Sequence, residues 1–462
     1  MDNAKSSGKK ARSRRRAGSK TAKSTPTIRP YAAGIDVGAS ELYVAVPEDV
    51  DATPVRTFAT FTEDLHRLAD WLQSCRIQTV AMESTGVYWI PIYQILEERG
   101  LEVCLVNARH VKNAPGRKTD VSDCQWLQYL HSVGLLRSSF RPPQQVCAVR
   151  SLWRERETLV KDAARKVQHM QKALFQMNVQ LSNVISDITG KTGLAIIDAI
   201  LIGERDVNKL SAYRDHRIHV DQRTIAKSLV GDWREEHLFA LKLARDIYGV
   251  YRDKICECDA KIEELLRKFE SRVDTNTNPL PAKTTSHVKP QRNEASFDLR
   301  TELYRIFGND LTQVPAIQSS TISVFLSEVG PSVERFENVK RFASWLGLCP
   351  DNRITGGRIL SARTRDVKSR LAYALRIATQ SLYRSQTVLG DYFRRMRARL
   401  GAPEAITATA HKLARILYYL VKNRCPYDAS VFAKEEELHH QRRQKCLQKQ
   451  AAALGLQLVP LQ

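Results

Sequence analysis

Two stretches of this chain carry apolar residues at alternating three- and four-residue spacing, each for more than three heptads. In the first, Val146, Val149, Trp153, Val160, Ala163, Val167, Met170, Leu174 and Met177 form one seam, broken only by Arg156. In the second, Leu241, Ala244, Tyr248, Tyr251, Ile255, Cys258, Ile262, Leu265 and Phe269 repeat the pattern. Seams of this length demand long helices buried along a partner helix. They predict an antiparallel hairpin within one chain or a pairing between chains, and the sequence leaves both open. This register makes Cys258 a seam residue and not a metal ligand. Residues 178–235, between the runs, read as helical, with Ile196, Ile197, Ile200, Leu201, Ile202 and Trp233 as packing surface.

Before the seams the period is that of strands and crossover helices. Tyr31 to Val37 reads as a strand, Glu41 to Val46 as its hairpin partner and Val55 to Thr60 as a third strand. Glu63 to Ser74 is helical, with Leu65, Leu68, Trp71 and Leu72 on one face. Ile77 to Met82 is a buried strand ending at Glu83. A helix from about Val87 to Arg99 and a strand from Glu102 to Val106 follow. A last helix begins at Asp120 and carries Trp126, Leu127 and Leu130. This order predicts a mixed sheet with helices on its faces.

The sequence Lys118-Thr119-Asp120-Val121-Ser122-Asp123 opens that helix. Asp120 and Asp123 then lie one turn apart on one face. Either Thr119 and Asp120 form an N-terminal cap favoured by the helix dipole, or Asp120 and Asp123 are half of a cation site. Asp36 in the first strand and Glu83 at the end of the fourth come to one end of the sheet, where open α/β sheets build their sites. Four crowded carboxylates in a chain of net charge +22 favour a hard divalent cation, Mg²⁺ or Mn²⁺. Two such ions can position a phosphodiester.

That net charge, with a pI near 9.7, points to a polyanionic partner, nucleic acid before an anionic membrane. No apolar run approaches a spanning helix, and no apolar core follows the basic N-terminus. A cytoplasmic, nucleoid-associated protein is expected. Nine scattered cysteines exclude a disulfide framework. Residues 1–29 form a basic arm expected to be disordered.

Gly34-Ile35-Asp36-Val37-Gly38, then Met82-Glu83-Ser84-Thr85-Gly86-Val87-Tyr88-Trp89, then Lys118 to Asp123 resemble the three motif blocks of the DEDD transposases of insertion sequences. These are bridge-RNA-guided recombinases related to the pilin-gene invertase. The resemblance implies an RNase-H/RuvC-like mixed-sheet domain (30–142) with Asp36, Glu83, Asp120 and Asp123 as Mg²⁺ ligands. It further implies a helical coiled-coil middle (143–272) and a mostly helical C-terminal transposase domain (298–430). A polar, Pro-containing stretch, 273–297, reads as a flexible linker, and 431–462 as a polar helical tail.

The C-terminal region continues the resemblance. A turn at Val314-Pro315-Ala316-Ile317 precedes a helix from about Ser320. Ala316 and Gln318 stand where family members usually have glycine. Phe342 to Pro350 and Asp351 to Gly357 match the family's Gly-Leu-x-Pro and Ser-Gly segment, whose serine attacks DNA and becomes covalently linked to it. Here the hydroxyl belongs to Thr355, chemically competent but stiffened by its methyl. Ser361 is the fallback. Gly356 and Gly357 permit close backbone approach to phosphate or make a plain turn. Arg353, Arg358, Arg363, Arg365, Lys368 and Arg370 crowd this segment as candidate phosphate ligands, and Arg363 to Arg376 reads as a helix with a basic face. Tyr383, Tyr392 and Phe393, set among arginines, read as base-stacking residues or as core.

The function these features predict is a transposase or site-specific recombinase acting on donor and target DNA. The resemblance implies a structured noncoding guide RNA and a homodimer or homotetramer. A structure-selective metal-dependent endonuclease and a catalytically impaired nucleic-acid-binding relative are the alternatives.

Overall fold

The computed structural model describes residues 26–84, 86–107, 120–282 and 293–456. The chain divides into two compact units, Met1–Arg141 and Pro142–Gln462. The basic arm up to residue 25 and the centre of the proline-containing stretch, 283–292, lie outside the described residues.

The first unit is built on a five-stranded sheet. Its strands are β1 (Ala32–Val37), β2 (Glu41–Ala45), β3 (Val55–Ala59), β4 (Thr79–Glu83) and β5 (Glu102–Val106), in the order β3-β2-β1-β4-β5. The β1–β2 and β2–β3 pairs are antiparallel, and β1–β4 and β4–β5 are parallel. Period-two alternation divides the side chains between two faces. Ala33, Ile35, Val37, Leu42, Val44, Val80, Met82 and Leu105 face one way and join the apolar sides of α1 (Thr62–Ser74) and α2 (Trp89–Glu98) in the main core. Ala81, Cys104 and Val106 face the other way and pack on Leu127 of α3 (Asp120–Ser132). This architecture is the mixed sheet the element order predicts, and it agrees with the RNase-H-like domain that the resemblance implies. The first described residues are tied to α3: the Ile28 and Arg29 amides both donate to the Ser132 carbonyl, at 2.8 and 2.9 Å.

The second unit is mostly helical. Its frame is the pair α4 (Gln144–Gln176) and α9 (Glu235–Arg267), which pack antiparallel within the one chain. Arg156 of α4 meets Asp259 of α9 near one end of the pair, and Ala173 shares a pocket with Ala244 toward the other. The short helices α5 (Leu181–Val184), α6 (Lys191–Leu201), α7 (Val207–Ala212) and α8 (Gln222–Ser228) close the far end, burying Ile196, Ile197 and Ile200. The second seam differs from the expected register in its last turns. Ile255, Asp259, Ile262 and Leu266 are buried, while Cys258 is only half-buried. The seam turns to Asp259 because Arg156, the polar break in the first seam, needs an anionic partner once dehydrated.

That pair also holds the chain beyond it. Arg156 Nη2 donates to the carbonyls of Asn293 and Glu294, both at 3.1 Å, and the Ser296 amide donates to Asp259 Oδ2 at 3.0 Å. At the other end of this stretch, Arg272 Nη1 donates to the Pro331 carbonyl at 2.7 Å. The described ends of the predicted flexible linker are therefore pinned.

The remaining helices are α10 (Leu299–Phe307), α11 (Ser319–Glu328), α12 (Val339–Trp345), α13 (Arg370–Ser381), α14 (Val388–Leu400), α15 (Ala402–Asn423) and α16 (Ala433–Ala453). Their core is aromatic, with Phe325 against Phe307 and Phe342, and Phe342 against Tyr418. Arg150 donates to the Ser327 carbonyl at 2.8 Å and Arg154 pairs with Glu328 at 2.8 Å, joining α11 to α4. The basic helix expected from Arg363 begins only at Arg370, where Ser369 Oγ caps it by accepting from the Ala372 amide. Residues 363–369 are non-helical, tied by the Asp351 amide to the Arg363 carbonyl at 2.8 Å. Charge density alone did not mark the helix start; the cap did. Among the described residues no helix is long and apolar enough to cross a membrane.

Candidate functional site

The carboxylate end of the first unit follows from strand register. Ile35 of β1 pairs with Met82 of β4 in a parallel ladder. One residue further along, Asp36 and Glu83 stand side by side, and alternation turns both away from the main core toward the face that α3 covers. Both are half-buried.

The position of α3 depends on Gly34. A Cβ built at Gly34 would collide with the Cys124 carbonyl oxygen and the Gln128 amide nitrogen, both backbone atoms of α3. Gln128 Nε2 donates to the Ala32 carbonyl at 3.2 Å, fixing the helix along β1. Asp123 is half-buried beside the fully buried Cys124. The Cys124 thiol is pushed up to about 11, first by burial and then by the negative fields of Asp36 and Asp123. Both carboxylates are thus within electrostatic range of that one thiol. The helix begins at Asp120, but the Asp120 side chain and the preceding Lys118 and Thr119 lie outside the described residues.

The donor set on this face is oxygen, which fits a hard divalent cation. Among the described residues no three of His, Cys, Asp and Glu stand close enough to hold an ion. The other end of α3 carries a neutral contact. Buried His131 lies 2.8 Å from Thr79 Oγ1, and burial, aided by the Arg29 guanidinium, lowers its pKa to about 4. Gly34 and His131 went unread in the sequence as positioning residues. An interior strand glycine is the signal that could have marked the first.

In the second unit Thr355 ends β6 (Arg353–Thr355) and pairs with Arg358, the first residue of β7 (Arg358–Ser361). Gly356 and Gly357 are the two-residue turn between them, at φ +54° and +75°. Two successive left-handed residues make the tight hairpin turn whose twist matches its strands. A Cβ at either would meet nothing within 4 Å, so glycine is required there for conformation and not for packing. Thr355 is exposed. Ser361 sits at the open end of the hairpin, opposite Arg353, half-buried, with its Oγ accepting from the Arg363 amide at 3.3 Å.

The expected phosphate ligands separate into two groups. Arg365 donates to Ser344 Oγ at 2.8 Å, and Arg370 pairs with Glu157 of α4, so these cations are engaged within the protein. Arg353, Arg358, Arg363 and Lys368 are exposed around the hairpin. The turn at Ala316 holds a left-handed φ of +72°, the backbone conformation natural to glycine.

A DEDD transposase model of the IS110 type matches residues 33–179, and a model described as the transposase IS116/IS110/IS902 family matches residues 308–394. No curated protein matches the chain. The first match spans the sheet from its second residue, α3 and all of α4, and the second spans the hairpin and the helices on either side of it. The chain belongs to the IS110 family of DEDD transposases.

Proposed function

We propose that this transposase cuts and rejoins DNA through a covalent protein–DNA intermediate. Asp36, Glu83, Asp120 and Asp123 are the ligands of a divalent cation, Mg²⁺ or Mn²⁺, and Thr355 is the nucleophile. The observation that carries the reading is the shared face of Asp36 and Glu83, set by the β1–β4 register beneath α3. When bound, the cation supplies charge stabilisation at the scissile phosphate.

The protein's own groups do the rest. Thr355 Oγ1 forms a bond to phosphorus as the bond to the 3′ oxygen breaks. The leaving oxygen ends as a 3′-hydroxyl and the threonine proton passes to solvent. Arg353, Arg358, Arg363 and Lys368 neutralise flanking phosphates, each contributing roughly 0.9 to the log–log salt slope. The hairpin presents the hydroxyl away from packed structure, so a phosphodiester can reach it. In this reading the carboxylates and the hydroxyl serve one phosphate, within one chain or across a homodimer or homotetramer. The family resemblance also supports a structured noncoding guide RNA that selects donor and target DNA, with which the net charge of +22 is compatible.

The test is covalent capture of a nicked suicide DNA with Mg²⁺ present. Thr355→Ser is expected to retain the adduct, Thr355→Ala to lose it, and Ser361→Ala to leave it intact. Adduct surviving in Thr355→Ala but lost in Ser361→Ala moves the nucleophile to Ser361. Cleavage by the wild type with no adduct overturns the covalent step in favour of a metal-dependent nuclease. Cleavage surviving Asp120→Ala overturns the metal assignment.

A further inference from the structure

The hairpin of β6 and β7 carries apolar surface that the proposed reaction leaves unused. Every residue from Asp351 to Leu360 is exposed. In an antiparallel pair, residues opposite each other share a face and successive residues alternate. Thr355 stands opposite Arg358, and Ile354 stands opposite Ile359. The hydroxyl and the isoleucine pair therefore lie on opposite faces of one hairpin. Ile354 is 58% exposed and Ile359 61%. A two-stranded hairpin with no core beneath it is marginal in water. Two isoleucines left in solvent forgo most of the stabilisation that burial would give it.

Charge selects the occupant of this face. Between Asp351 and Asp366 the chain has four arginines and no acidic residue. Arg353, Arg358, Arg363 and Lys368 are exposed. A second copy of the chain would bring the same cations face to face, whereas phosphates would neutralise them. Apolar side chains flanked by cations match the wedges with which proteins enter a base step of duplex DNA. The aromatic residues set among arginines farther along offer less to a base. The Arg397 guanidinium lies 4.5 Å from the centre of the Tyr383 ring, Lys412 Nζ lies 4.3 Å from that of Tyr392, and Phe393 is buried.

We infer that Ile354 and Ile359 form a wedge that enters and unstacks a base step of the DNA beside the phosphate that meets Thr355. Ile354 and Thr355 are consecutive, with Cα atoms about 3.8 Å apart. The step entered and the phosphate attacked therefore lie within about one nucleotide of each other. The inference deepens the reading of Thr355 as nucleophile and rests on it for that placement; entry of the wedge is measured without cleavage.

The experiment is competition fluorescence anisotropy with the full chain and no Mg²⁺. The probes are a paired duplex of about 30 base pairs and the same duplex with one central mismatch. A mismatched step is already partly unstacked, so the wild type is expected to bind it roughly 10-fold more tightly than the paired duplex. Ile354→Thr, Ile359→Thr and the double variant keep a β-branched residue suited to a strand but lose the apolar tip. In the double variant the preference should fall to about 2-fold or less, with an unchanged thermal melt. Arg358→Gln should weaken binding to both duplexes by a similar factor and keep the preference. Equal wild-type affinity for the two duplexes, or an intact preference in the double variant, overturns the wedge. A changed oligomeric state in the double variant with its preference intact makes the pair a contact between copies and also overturns it. Covalent capture is read separately: adduct without mismatch preference removes the wedge alone, and preference without adduct removes the nucleophile alone.

Discussion

Arg156 and Asp259 face each other between the two long helices of the second unit, with side chains only 6% and 2% exposed. Each charge is satisfied by more than the other. The guanidinium also holds the carbonyls of Asn293 and Glu294, and the carboxylate also accepts from the Ser296 amide. The pair therefore couples the helical frame to the segment that leads into the C-terminal helices.

Removing one partner leaves a buried charge uncompensated. Asp259→Asn or Arg156→Met is expected to cost about 3–5 kcal/mol, measured by urea unfolding followed on the helix signal. The double replacement Arg156→Met with Asp259→Leu should recover most of that loss, because two apolar side chains suit the seam. Equal destabilisation by the double and single replacements would show that backbone contacts, not the charges, hold the segment.

Stability of the first unit should fall in mild acid because of His131. Its pKa is lowered from about 6.5 to about 4 in the fold. Between those values the unfolded chain binds a proton that the folded chain refuses, so stability rises with pH. Full stability is present above about pH 6.5 and is lost progressively toward pH 4, by at most about 3 kcal/mol. A His131→Gln protein melted across this range should show a flatter pH profile than the wild type. An unchanged slope would assign the acid sensitivity to other groups.

Ala316 carries a left-handed backbone at φ +72°. A Cβ in that region costs about 1–2 kcal/mol, partly offset by the greater freedom glycine has when unfolded. Ala316→Gly should therefore stabilise the C-terminal unit by about 0.5–1 kcal/mol, read as a higher urea midpoint. A lower midpoint would mean that the alanine methyl packs usefully in the turn.

Local period made much of this fold legible. Alternation in β1 and β4 puts Asp36 and Glu83 on one face of the sheet, and three-and-four spacing identifies both long helices. What escaped was set by partners distant in sequence. Asp259 takes the seam position assigned to Cys258 because Arg156, 103 residues earlier, requires it. The helix expected at Arg363 starts at Arg370 because an exposed arginine run carries no period, whereas Ser369 supplies a cap. The pinned ends of the 273–297 stretch were hidden for the same reason: Pro and polar residues predict no local structure, but buried Arg156 holds the Asn293 carbonyl within it, and Arg272, just before it, holds the Pro331 carbonyl.

Gly34 gives the sharpest link from packing to chemistry. It lets α3 lie directly on β1, with the Cys124 carbonyl and the Gln128 amide where a methyl group would stand. Backbone atoms cannot rotate away, so Gly34→Ala must displace the helix. Overpacking of this kind costs about 1–3 kcal/mol, less than the stability of an ordinary domain. The variant is expected to fold with a modestly lower melting temperature. If the proposed site is right, its Mg²⁺-dependent DNA cleavage should fall by about 100-fold, since moving α3 by about 1 Å shifts the helix that supplies two of the four proposed ligands. Raising Mg²⁺ should restore part of the activity if the loss lies in metal affinity. Cleavage at the wild-type rate in a folded Gly34→Ala protein would show that the spacing of α3 and β1 does not set the carboxylate site.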